Sequence, residues 1–66
     1  MQIVINGTAH LVADELSLER AVSLISSAAT GIAAAVNGEV VRRASWSSTR
    51  LAAGDQVEIL TAVQGG

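Results

Sequence analysis

The sequence predicts an α+β domain in which one mixed sheet of about five strands carries a single helix across one face. Three observations lead there. Two Asn-Gly pairs, Asn6-Gly7 and Asn37-Gly38, each sit between short apolar runs, which is the signature of a tight β-hairpin. Between them Leu18, Ala21, Val22, Ile25 and Ala28 recur at spacings of three and four, lining one side of a helix. Near the end Val57, Ile59, Thr61 and Val63 alternate with other residues, as in a half-buried strand.

Taken in order, residues 2–5 (Gln-Ile-Val-Ile) and 8–12 (Thr-Ala-His-Leu-Val) form the first hairpin, their β-branched side chains suiting a pleated surface. Ser17 is the expected N-cap of a helix over roughly 18–29, with Glu19 well placed in the first turn and Gly31 free to close the far end. Residues 32–36 and 39–42 flank the second Asn-Gly pair and form the second hairpin, although Ala33 to Ala35 have weak strand preference. Residues 44–53 show no period. Their Ser45, Ser47, Ser48 and Thr49 compete for backbone hydrogen bonds and predict a turn or a short 3₁₀ segment, pinned by Trp46 and Leu51. Gly54-Asp55 marks a turn, and the last strand runs from Gln56 to Val63.

A hairpin cannot bury its apolar face alone, so the helix must lie across one side of the sheet. If the long return sets the last strand beside the first, that pair is parallel and central, which is the β-grasp (ubiquitin-like) arrangement. Strand parity and the helix stripe predict a core of Ile3, Ile5, Leu18, Val22, Ile25, Val36, Val57 and Ile59. The opposite parity turns Leu60 and Ala62 away from the helix, beside Ala33 and Ala35, as an apolar patch available to a partner.

Sixty-six residues make one domain, spanning 1–66, and a chain this short buries only roughly 60% of its unfolded surface. Phe, Tyr and Cys are absent, so the core is built from Ile, Leu, Val and Ala with Trp46 the lone aromatic. With no cysteine there is no disulfide, thiolate ligand or thiol nucleophile, and a cytoplasmic location is expected. No apolar run approaches the ~20 residues that cross a bilayer, and no leader pattern opens the chain, so no membrane role and an unprocessed front are expected. A net charge of −2, from four arginines and no lysine against six acids, argues against nucleic acid as the partner.

Candidate chemistry inside the domain is sparse. His10 is the only histidine and has no partner base or ligand spacing, so a surface position on an edge strand is expected. Asp14-Glu15 read as a loop before the helix, Glu39 and Glu58 as solvated strand positions, and Arg42-Arg43 as charges that keep an edge strand soluble. No catalytic or metal-binding residue is expected. The terminus differs: Gln64-Gly65-Gly66 follows the last strand as a flexible tail, and glycines without a Cβ can thread a narrow tunnel in an enzyme. From Ala62 onward five extended residues at ~3.4 Å each reach about 17 Å, enough to carry the Gly66 carboxylate into a recessed site.

The run Val36-Asn37-Gly38-Glu39-Val40-Val41, then Trp46, Arg50-Leu51, Gly54-Asp55, Val57-Glu58-Ile59 and Ala62-Val63-Gln64-Gly65-Gly66 resembles the ThiS family, the sulfur carriers of thiamine thiazole biosynthesis. The likeness covers essentially the whole chain and is best in its second half. It implies a carrier that is not itself an enzyme. An E1-like adenylating enzyme of the ThiF or MoeB type would use ATP and magnesium to activate the Gly66 carboxylate. Persulfide sulfur from a cysteine desulfurase would then leave a thiocarboxylate, and a thiazole synthase of the ThiG type would take up that sulfur. No cofactor would belong to this chain. Three other readings share the fold: the small subunit of molybdopterin synthase, a ubiquitin-like protein modifier, and a plain interaction module whose tail carries no chemistry. The first typically has a proline before its Gly-Gly, and this chain has none; the absence of lysine excludes lysine-linked chains of the second.

Overall fold

The structure, a computed structural model, describes residues 1–27 and 31–61. Strands β1 (Gln2–Ile5) and β2 (Thr8–Leu11) form the first hairpin, followed by helix α1 (Leu18–Ile25). A second hairpin, β3 (Ile32–Val36) and β4 (Glu39–Val41), leads into a 3₁₀ helix (Arg43–Ser48) and the last strand, β5 (Gln56–Thr61). Both hairpins turn on their Asn-Gly pairs. Asn6 and Gly7 have φ of 50° and 83°, and Asn37 and Gly38 have 51° and 86°. Positive φ at both central residues matches the twist of the flanking strands, and Asn and Gly tolerate it best.

The strands form one sheet in the order β2-β1-β5-β3-β4. β5 is central, parallel to β1 through Val4↔Gln56 and Ile5↔Val57 and antiparallel to β3 from Ile32↔Thr61 to Val36↔Val57. This is the expected mixed sheet with a parallel central pair. Helix α1 starts at Ser17, whose Oγ accepts from the Arg20 N–H at 3.2 Å, and Glu19 occupies its first turn. That cap satisfies one of the orphan donors of the helix start. The crossover is tied down beside it: Leu18 N–H donates to Thr49 O at 2.9 Å and Leu51 N–H to Leu16 O at 2.8 Å. Trp46 is buried and its Nε1–H donates to Val41 O at 2.8 Å, while Leu51 is also buried, so both residues pin this segment as expected.

The core holds Ile3, Ile5, Leu18, Val22, Val57 and Ile59 as predicted, joined by Ala21, Ala34, Trp46 and Leu51. Val36 is only partly buried against it. Ile25 departs from expectation, being 43% exposed. The helix stops there instead of continuing to residue 29, because Ser26 turns extended (φ −140°, ψ 140°) while its N–H still reaches Val22 O. Serine hydroxyls compete with helical bonding, so Ser26-Ser27 make a natural stop. The apolar face therefore ends one turn early, and Trp46 borders Val22 at that end of the helix. Ala28, expected on the same stripe, lies outside the described residues. Strand ends differ slightly as well: β2 stops at Leu11 although Val12 still bonds Met1, and β4 stops at Val41 because Arg42 begins the 3₁₀ turn.

Candidate functional site

The face of the sheet opposite α1 is built by the residues whose parity excludes them from the core. On β5 these are Gln56, Glu58 and Leu60, since Val57 and Ile59 point inward. Register then sets Leu60 beside Ala33 and Glu58 beside Ala35, and the β3–β4 hairpin adds Val40 opposite Ala35. Leu60 is 67% exposed and Val40 79% exposed, so this corner presents large apolar side chains to solvent. Between them the small side chains of Ala33 and Ala35 leave a shallow groove of about 220 Å³, with Gly38 and Glu58 on its rim. A second depression, lined by Gly31, Ile32, Ala33, Leu60 and Thr61, continues it toward the end of β5.

The structure thus brings Leu60, Ala33 and Ala35 together on one open face, next to the point where the chain passes into residues 62–66. Ala62, Gln64, Gly65 and Gly66 lie outside the described residues, as does the expected run of β5 on to Val63. Val40 belongs to this patch and was not singled out from the sequence. Its signal was present: a two-residue Asn37-Gly38 turn pairs Val36 with Glu39, which sets Val40 beside Ala35 on the outer face.

Other polar residues stay apart from this corner. His10 is half-buried on edge strand β2, opposite Ile3, and Asp14 pairs with the N-terminal ammonium at 3.2 Å. Arg42 and Arg43 fall after β4 instead of on it, and Arg43 lies over the Trp46 ring at 5.1 Å from its centre, a cation–π contact. No three His, Cys, Asp or Glu side chains among the described residues come close enough to hold a metal ion. No helix among them is long and apolar enough to cross a membrane.

The ThiS family model matches residues 3–66, which is nearly the whole chain and includes its final Gly-Gly. The chain belongs to the ThiS family. The crystal structure of thiamine biosynthesis protein ThiS from Geobacter metallireducens is similar throughout, with 32% identity, a TM-score of 0.83 and full coverage of both chains. The NMR solution structure of a thiamine biosynthesis protein from the same organism gives 30% identity and a TM-score of 0.80, covering 100% of this chain and 88% of that one. No curated protein sequence matches this chain. The ThiS-type β-grasp fold, a five-stranded mixed sheet with one helix across it, is therefore shared by sequence family and by shape.

Proposed function

We propose that this ThiS-family chain is a sulfur carrier of thiamine biosynthesis, working in the cytoplasm, with the carboxylate of Gly66 as its reactive group. The family match that runs through residues 65 and 66 carries this reading. A carboxylate is unreactive toward nucleophiles until its oxygen becomes part of a good leaving group. In the proposed relay an E1-like adenylating enzyme supplies ATP and magnesium, the carboxylate attacks the α-phosphorus, and pyrophosphate departs. The terminal sulfur of a persulfide, furnished by a cysteine desulfurase, displaces AMP. Thiol attack on the resulting acyl disulfide then frees the thiocarboxylate, from which a thiazole synthase takes sulfur. Nothing in this scheme asks a side chain of the carrier to react, so the chain acts as a substrate of its partners and not as an enzyme.

The domain's own part is recognition and delivery. A partner that docks on the exposed apolar corner of Leu60, Val40, Ala33 and Ala35 buries surface that otherwise faces water, and it meets the chain where Gln64, Gly65 and Gly66 begin their approach to the active site. Intact-mass spectrometry after incubation with purified adenylating enzyme, ATP, magnesium and a persulfide donor tests the reading. Replacement of one C-terminal oxygen by sulfur is the expected result. Covalent attachment of the chain to other proteins, with no thiocarboxylate formed, would refute it in favour of a protein modifier.

A further inference from the structure

The Asn6 side chain occupies an unusual place. β1 pairs with β5 only at Val4 and Ile5, after which the chain turns away at Asn6 with φ of 50°. The backbone ladder continues to Asn6 N–H, which donates to Val57 O at 2.9 Å. A straight β1 would next have offered a carbonyl to Ile59 N–H and an N–H to Ile59 O. The turn removes both, and the Asn6 carboxamide replaces them: Oδ1 accepts from Ile59 N–H at 2.8 Å and Nδ2 donates to Ile59 O at 3.1 Å. One side chain thus stands in for a peptide group and extends the parallel ladder by a rung. Ile59 is two residues before Thr61, where the described part of β5 ends.

Asn37 supplies an internal comparison. It occupies the same position in the other hairpin turn and also braces β5, but at the strand's beginning: Oδ1 accepts from Gln56 N–H at 2.9 Å and Nδ2 donates to Asp55 Oδ1 at 3.1 Å. Each asparagine accepts from a backbone N–H of β5, at opposite ends of the strand, and of the two only Asn6 acts on the end that carries Leu60 and leads to residue 62.

We infer that Asn6 is a positioning residue for delivery of the C-terminus: its carboxamide holds Ile59, and through it the Leu60–Thr61 segment, in the geometry that an adenylating partner binds. This deepens the carrier reading and rests on it. Without the rung, the end of β5 is held on one edge only, by β3 through Ala33↔Leu60 and Ile32↔Thr61, so the partner must restrict its remaining freedom during docking, and fixing backbone costs entropy at that step. The cost then falls on KM for the carrier, while kcat stays near its original value because the chemistry begins only after the tail is seated.

Asn6→Gly and Asn37→Gly suit the test, since glycine tolerates positive φ; the first deletes the two bonds to Ile59, the second the bonds to Gln56 N–H and Asp55 Oδ1. Two readouts are needed: amide hydrogen exchange at Ile59, and the steady-state kinetics of ATP–pyrophosphate exchange by a purified E1-like adenylating enzyme with each carrier. Asn6→Gly should speed exchange at Ile59 and raise KM about tenfold, with kcat within about a factor of two. Asn37→Gly should leave KM at the wild-type value even where it lowers thermal stability. Unchanged KM in Asn6→Gly overturns the inference, and so does an equal rise in both variants, which would report general loosening. If wild-type carrier is not adenylated, the proposed function itself fails, while exchange at Ile59 still decides whether the rung holds the strand.

Discussion

Replacing Ile59 by alanine, and comparing it with the same change at Ile25, tests the assignment of the core. Ile59 is 4% exposed in the centre of β5 and Ile25 is 43% exposed at the end of α1. Ile→Ala removes about three carbons, so at Ile59 the transfer loss is about 2.4 kcal/mol at ~0.8 kcal/mol per buried methylene. Its neighbours, held in a five-stranded sheet, cannot close the gap fully, and the cavity adds about 1 kcal/mol or more. At Ile25 no enclosed cavity can form, and partial burial limits the loss to about 1 kcal/mol. A domain of 66 residues has a total stability of about 3–10 kcal/mol, so the Ile59 change consumes much of it. Thermal unfolding followed by circular dichroism should show a midpoint lowered by more than about 12 °C for Ile59→Ala and by less than about 8 °C for Ile25→Ala. Equal losses at the two sites would mean that the helix continues inward past Ile25 and that its early stop at Ser26 is wrong.

The same reasoning yields three further expectations. Deleting Gly66, or adding residues after it, should abolish adenylation and thiocarboxylate formation by mass spectrometry while the circular dichroism spectrum is unchanged, and Gly65→Val should slow both by steric bulk. Leu60→Asp should weaken binding to adenylating enzyme and thiazole synthase at least tenfold by isothermal titration calorimetry without unfolding the domain, because the side chain is 67% exposed; unaltered affinity for both partners would dismiss the apolar corner as a docking surface. Trp46→Phe shrinks the buried indole to a smaller ring and deletes the Nε1–H bond to Val41 O, so a cavity loss adds to the loss of the bond. A loss of about 2–4 kcal/mol in urea unfolding is expected, and a neutral result would show that Trp46 does not pin the crossover.

Much of this protein is written locally. Asn-Gly between apolar runs specifies a turn through the backbone freedom of two residues, and a period-two pattern specifies which side chains of β5 face inward, so the hairpins, the inward Val57 and Ile59 and the outward Leu60 follow without knowledge of the rest of the chain. The ThiS resemblance and its Gly65-Gly66 ending were likewise legible, because the chemistry proposed for the terminus needs no constellation assembled from distant residues. Other features depended on elements far apart in sequence. The spacing that put Ile25 on the apolar stripe is a property of an ideal helix, but what it meets depends on where α1 stops and on Trp46, which returns from the crossover to border Val22. Val40 joins the open corner only through the pairing of β4 with β3 and of β3 with β5. The Asn6 rung to Ile59 spans 53 positions, and it exists because the parallel β1–β5 pairing sets a turn residue of the first hairpin against the last strand. Turn and strand preferences are decided by neighbours along the chain, whereas those contacts are decided by what folding places alongside.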